Sequence, residues 1–254
     1  MTFTVITILL GCLSVMAVRG RQGPWPPGAP AARPRLVVAG GTYEGSHGYP
    51  SDEYVVQERL IAAADGGGGT QFGHTAAALT LGAVVVARPQ YSDRSEKGIG
   101  DCAQAAHRAV RTAALRNPAM SGLTSTLDVV VLDAGEDPCL RFAHVGDGAI
   151  WHCAKGGRPR PLTTLHSSED GSSLRGIGLL PDLSPEIGTV ALQPGDRIAI
   201  VTDGAMRALG VSRLTELFTA GASPAACLDG LYDEMAAVEP KEDATMIIAD
   251  FVTV

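Results

Sequence analysis

Two short apolar runs in this chain each end in Asp-Gly: Leu60-Ile-Ala-Ala-Ala-Asp65-Gly66 and Arg197-Ile-Ala-Ile-Val-Thr-Asp203-Gly204. Runs of this length read as buried strands, each carrying a carboxylate to its tip, with a glycine that lets the backbone turn away at once. A third acid stands in Phe142-Ala-His-Val-Gly146-Asp147-Gly148, a glycine-flanked turn after another apolar run. The acidic pair Glu242-Asp243 immediately precedes the last apolar strand, which starts at Ala244. Carboxylates at several strand tips, with no cysteine or histidine cluster beside them, point to a site for hard divalent cations such as Mg²⁺ or Mn²⁺.

The remaining pattern predicts strands at 36–39, 54–64, 127–133, 140–145, 149–153, 189–192, 197–202 and 244–254. Helices are predicted at 75–87, 101–115, 211–218 and 224–238. The last of these opens with Ser223 as N-cap and Pro224 at its first position. Pro194-Gly195-Asp196 is a turn. Helices thus come in an early pair and a late pair separated by strands, an order that suits two stacked sheets with a helical layer outside each. A chain of 254 residues with 45% hydrophobic content can bury one large core or two small ones, and nothing in its middle reads as a linker.

The order of the acidic motifs resembles the metal-dependent protein phosphatases of the PP2C (PPM) family, in their bacterial form. The residues that carry the resemblance are Ser51-Asp52-Glu53, Asp65-Gly66-Gly67-Gly68-Gly69, Ser125-Thr126, Val145-Gly146-Asp147-Gly148, Gly195-Asp196 with Thr202-Asp203-Gly204, and Glu242-Asp243-Ala244-Thr245. It covers roughly residues 35–254. It implies an α/β (α+β) fold, a four-layer α-β-β-α sandwich of two mainly antiparallel sheets flanked by helix pairs, with metals in a cleft at one end of the sheets. It also implies hydrolysis of phosphoserine and phosphothreonine in proteins, opposing a Ser/Thr kinase, by attack of a water shared between two Mn²⁺ or Mg²⁺ ions. By matching position, Asp65 bridges both metals and the Gly66 carbonyl binds one. Asp203 and the closing acid complete the first metal's shell. Asp147 with Asp203 matches the site of a third, weaker metal, and Asp52 belongs to the first acidic motif.

Several positions depart from the family pattern. The first motif usually has a Glu followed by an Asp, and here Asp52 precedes Glu53. The closing ligand is usually an Asp, where this chain has Glu242 followed by Asp243; the sequence leaves both open as the ligand. No arginine stands in Glu44–Tyr49, where the family keeps its phosphate-binding Arg, and His47 is the candidate substitute. Gly67 fills the place of a Met or His, and Gly148 that of a Ser. A second reading is therefore a catalytically degenerate domain of this fold acting as a binding or regulatory module. His166-Ser167 matches the family's Asp-His-Ser and points to a structural role beside the cleft, while residues 168–188 match its flap. His144 and His152 flank the Gly-Asp turn; packing is preferred there over a zinc site.

A net charge of -7 without a Lys/Arg cluster among aromatics argues against a nucleic-acid partner. The odd, widely spaced cysteines (Cys12, Cys102, Cys139, Cys153, Cys227) read as reduced thiols of a cytosolic protein, expected to be a monomer. Residues 1–34 are an apolar segment followed by a Pro/Gly-rich linker, and 35–254 the domain. Residues 2–18 carry no charge and are near the lower limit for a spanning helix, about 17 residues. They read as a non-membrane extension or mis-assigned start, or else as an anchor that leaves the domain on the cytoplasmic side of Arg19 and Arg21.

Overall fold

The apolar runs that end in the acids are strands buried on both faces. The computed structural model of the chain describes residues 33–46, 48–67, 72–87, 96–135, 137–166 and 175–253. In chain order the elements are β1 (Pro34–Tyr43), β2 (Asp52–Val56), β3 (Leu60–Gly67), α1 (Gly73–Ala87), α2 (Glu96–Arg116), β4 (Thr124–Ser125), β5 (Leu127–Asp133), β6 (Cys139–Val145), β7 (Ala149–Cys153), β8 (Arg160–Pro161), β9 (Glu186–Ala191), β10 (Arg197–Val201), α3 (Asp203–Ala220), α4 (Pro224–Val238) and β11 (Ala244–Thr253). One sheet runs β1-β11-β10-β7-β8, the other β2-β3-β5-β6-β9, with β4 on β3. Every pairing is antiparallel.

Alternation along the strands sorts the side chains into layers. Ile61, Ala63, Val130 and Leu132 face Ile198, Ile200, Ile247 and Phe251 across the middle of the sandwich. Their neighbours Leu60, Ala62, Ala64 and Val129 turn outward onto Ala76, Val84, Ile99 and Ala103 of α1 and α2. Ala199, Val201, Met246 and Ile248 do the same against Leu214, Phe218, Leu231 and Met235 of α3 and α4. Each fully buried Val, Leu, Ile or Phe contributes about 1.5–3 kcal/mol. A one-residue slip would exchange the two faces of a strand and misplace every carboxylate at its end, so these layers also set the register of the acids. The result is the expected α-β-β-α sandwich.

Three local readings are corrected. Residues 54–64 are not one strand: β2 and β3 form a hairpin, closed where Gln57 donates its N–H to the Leu60 carbonyl at 2.7 Å. The polar triplet Gln57-Glu58-Arg59 interrupts the apolar pattern there. The helix expected at 211–218 is preceded by a helical segment that the sequence reading leaves out, starting at Asp203 and separated from it by a break at Gly210, whose φ of 71° lies in the left-handed region. Gly204 does not block that segment, because backbone N–H groups in a first turn need no intrahelical partner. Gly66 does not turn the chain away from the sheet. It continues β3 opposite Ser125.

Ser223 caps α4 as expected, accepting from the Ala226 N–H with Pro224 in the first turn. Cys102, Cys153 and Cys227 are buried free thiols, and Cys139 is a half-buried one. Burial pushes the Cys102 thiol up to about 11 and the Cys153 thiol up to about 12, so both stay protonated and weakly reactive. Among the described residues no helix is long and apolar enough to cross a membrane. Residues 2–18, with Cys12, lie outside them.

Candidate functional site

The hairpin that sequence periodicity misses is what creates the site. Its register sets Asp52 directly opposite Asp65 at the open end of the β2–β3 pair. From the other sheet, β10 runs through Thr202 into Asp203 in the first turn of α3, and Glu242 and Asp243 lead into β11. Asp147 comes from the turn between β6 and β7. The two sheets are tied together at this end through Asp52. Its Oδ2 accepts from the Thr202 hydroxyl at 2.8 Å and from the Thr245 N–H at 3.1 Å. Thr202 therefore spends its hydroxyl on Asp52 rather than on capping α3. Glu53 points the other way and pairs with His74 on α1 at 2.6 Å.

The closing acids divide their work. Asp243 is buried and accepts the Gly45 N–H on Oδ1 and the Ser51 N–H on Oδ2, both at 2.8 Å. It holds the loop between β1 and β2, with one backbone N–H already on each oxygen. Glu242 is 40% exposed and reaches the guanidinium of Arg207. Arg207 lies four residues into α3, 2.8 Å from the Asp203 carboxylate and 4.0 Å from that of Asp147. Nothing in the sequence pattern singles it out; its position one helical turn after Asp203 is the only signal it offers.

Two glycines allow the close approaches around Asp65 and Asp203. A Cβ on Gly66 would lie 1.8 Å from the Gly73 carbonyl oxygen, and one on Gly204 would lie 2.0 Å from that of Asp243. These positions take glycine because backbone meets backbone, not because of an unusual φ. Gly67 sits beside Thr124 at the end of β3. His47, Gly68, Gly69 and Ser167 lie outside the described residues, as do residues 168–174 of the 168–188 segment. A groove of about 1010 Å³ at the opposite end of β7 and β10, lined by Lys155, Gly195, Arg197 and Asp250, holds none of these acids.

Crowding of the carboxylates shows in their proton affinities. Burial, with Asp52 and Asp147 nearby, pushes Asp65 up to about 7. Burial, with Asp65 and Asp147 nearby, does the same to Asp203. Burial raises Asp52 to about 6 against its hydrogen bonds from Thr202 and Thr245. These groups hold protons more tightly folded than unfolded. Their stabilising contribution is complete below the ordinary carboxylate value of about 4 and is lost as pH rises through about 6 to 7. His166, pushed down to about 4 by burial and by His144, acts oppositely, but only below its ordinary value of about 6.5. In EDTA the melting temperature is therefore expected to fall between about pH 6.5 and about pH 8. A rise over that interval in a calorimetric scan would contradict this account of the cluster.

Behind the Gly146-Asp147 turn lies a second polar group that the sequence does not announce. The His144 Nδ1 is 2.7 Å from Asp128 Oδ1, with the two side chains 0% and 1% exposed. Its Nε2 faces the Thr164 carbonyl at 3.0 Å. Both nitrogens are engaged: Nε2 donates to the Thr164 carbonyl, and Nδ1 shares a hydrogen with the Asp128 carboxyl, which burial pushes upward. Burial alone lowers the pKa of His144, but Asp128 and the Thr164 carbonyl outweigh it and the net shift is upward. His166 stacks beside it, ring centres 4.7 Å apart. It exchanges two bonds with Gly146, donating its own N–H at 2.7 Å and accepting the Gly146 N–H on Nδ1 at 3.3 Å. His144, His166 and Glu186 come within 4.8 Å of one another, but neither imidazole has a lone pair free for an ion. His152 belongs to the other sheet and pairs with Asp196 at 3.0 Å. The histidines flanking the turn pack separately. Gly148, where the family pattern has Ser, lies against Asp128, whose Oδ2 would be 2.2 Å from an added Cβ.

The profile of the protein phosphatase 2C family matches residues 51–236. No curated protein matches the chain. Among solved structures, the serine/threonine phosphatase PstP/Ppp of Mycobacterium tuberculosis is similar with a TM-score of 0.76 at 19% identity, covering 85% of this chain and 98% of that one. The catalytic domain of PstP in complex with two manganese ions gives a TM-score of 0.77 at 19% identity over 86% and 99% of the two chains. The PPM Ser-Thr phosphatase MsPP of Mycobacterium smegmatis, in complex with cacodylate, gives 0.71 at 21% over 84% and 97%. At these identities the structures speak for the fold alone, and the profile match over most of the chain speaks for descent: the chain belongs to the protein phosphatase 2C family.

Proposed function

We propose that this chain is a Mn²⁺- or Mg²⁺-dependent phosphatase of phosphoserine and phosphothreonine in proteins, with one domain over residues 35–254. The observation that carries this reading is the convergence of Asp52, Asp65, Asp147, Asp203 and Glu242 at one end of the sandwich, from both sheets. The donors fit hard divalent cations: all are oxygens, and three buried carboxyls are raised to about 6 to 7 by burial and by the acids around them. Asp65, the Gly66 carbonyl, Asp203 and Glu242 would hold two ions, and Asp147 with Asp203 a third. Glu242 is favoured over Asp243 because both oxygens of Asp243 already hold backbone N–H groups. When bound, such a pair of ions acidifies water into a nucleophile near neutral pH and offsets phosphoryl charge.

The chain's own residues do the positioning. Asp52, fixed by Thr202 and Thr245, keeps Asp65 in place. The Thr126 hydroxyl, bonded at 2.9 Å to the Asp65 N–H, fixes that backbone. His166 holds the Gly146-Asp147 turn. Arg207 and Glu242, about half and two-fifths exposed, mark the solvent side from which a phosphorylated side chain would enter. PstP, solved with two manganese ions, supports the cofactor by likeness. The substrate would be the product of a Ser/Thr kinase, and the enzyme a cytoplasmic monomer. The test is phosphate release from a phosphothreonine peptide with Mn²⁺ and with EDTA. Release that needs Mn²⁺ is expected. Folded protein inert at millimolar Mn²⁺ sinks the reading and leaves a binding module of the same fold.

A further inference from the structure

Arg207 places a fixed positive charge among the acids proposed to hold metal. Its guanidinium touches carboxylates from three separate segments: Asp147 between β6 and β7, Asp203 at the head of α3, and Glu242 before β11. It lies between groups that like-charge repulsion would otherwise drive apart, and it does so without being buried: its side chain is 51% exposed. Half-exposed ion pairs are individually weak, about 0–1 kcal/mol. A doubly charged ion with direct oxygen bonds can therefore displace a guanidinium held this way. A hollow of about 310 Å³, lined by Arg207 with Ala208, Val238 and Pro240, adjoins it and gives the side chain room to leave.

We propose that Arg207 is a tethered competitor for divalent cation, occupying the Asp147–Asp203–Glu242 side of the centre until metal displaces it. This rests on the metal-centre reading above. It divides that centre into two unequal halves. The Asp65 side, which Arg207 does not touch in any ion pair among the described residues, loads first. The Arg207 side loads only at higher metal concentration, so the loaded state depends on the metal level around the protein. The residue also explains how six carboxylates can coexist here before metal arrives, since it counters the charge of Asp203 and Glu242.

The test is calorimetric titration of the full chain with Mn²⁺, beside Arg207→Met, which keeps the apolar stem, and Arg207→Lys, which keeps a charge with fewer donors. Arg207→Met is expected to take up Mn²⁺ at the weaker step at least about tenfold more tightly, with Arg207→Lys between it and the unaltered protein. In EDTA, Arg207→Met is expected to melt below the unaltered protein, because its acids have lost their counter-charge, and saturating Mn²⁺ is expected to abolish that gap. The metal-free melt also shows that the variant is folded. Equal or weaker Mn²⁺ uptake by folded Arg207→Met, with normal uptake by the unaltered protein, overturns the proposal and leaves the metal centre standing. No uptake by either overturns both.

Discussion

Asp203→Asn is expected to lower kcat/KM for a phosphothreonine peptide by about 10³-fold, or ~4 kcal/mol of transition-state stabilisation. The substitution keeps shape and still leaves an amide oxygen to meet Arg207, so packing around α3 is preserved. What it removes is a full negative charge from the donor set. It also removes a carboxyl pushed up to about 7 by burial, Asp65 and Asp147. The metal-free variant should therefore melt above the parent at about pH 8, where Asp203 is otherwise ionised. Opposite signs in activity and stability separate loss of a ligand from loss of fold, which would lower both. A variant retaining a tenth or more of the parent activity in Mn²⁺ would show that Asp203 is a turn residue and not a ligand.

The second large effect concerns stability. Asp128→Ala is expected to cost about 3–5 kcal/mol, because it leaves the His144 ring buried without its hydrogen-bonding partner. Replacing both members at once, as in Asp128→Val with His144→Leu, is expected to recover most of that loss, since an apolar pair needs no desolvated charge. Gly148→Ser adds a third arm. Alone it is expected to cost about 1–3 kcal/mol, because its Cβ would press on Asp128 Oδ2 at 2.2 Å. In the Asp128→Ala background most of that cost should disappear, and denaturant melts of the four proteins measure the coupling. Additive effects would show that Gly148 answers to something other than Asp128.

The acidic motifs and the sandwich are legible in the order of the residues. An apolar run ending in Asp-Gly needs only local pattern to be read, and the helix pair, strand run, helix pair order limits how layers can stack. The choice of Glu242 over Asp243 is not legible there. Adjacent acids are equivalent as letters and differ only in that Asp243 meets the Gly45 and Ser51 N–H groups, about two hundred positions earlier. Arg207 is invisible for the same reason, since its role depends on acids contributed by two other segments. Asp128 and His144 look like interruptions of apolar strands until the register sets them side by side on β5 and β6. The 54–64 segment misleads because a three-residue polar turn is a small break in a long apolar run, and the cross-strand pairing that makes it a hairpin is non-local.

What the sequence alone determined was which residues are carboxylates at strand ends, and hence the kind of chemistry the chain is built for. Periodicity also determined that its strands are buried and its helices paired. Only the tertiary structure decided which acids face one another, which of them hold loops instead, and that a guanidinium stands among them. The physical reason is that charge interactions act across a few ångströms of space, with no regard for distance along the chain. Sheet register and the packing of the two sheets set those separations, so the electrostatics of the centre are a property of the fold.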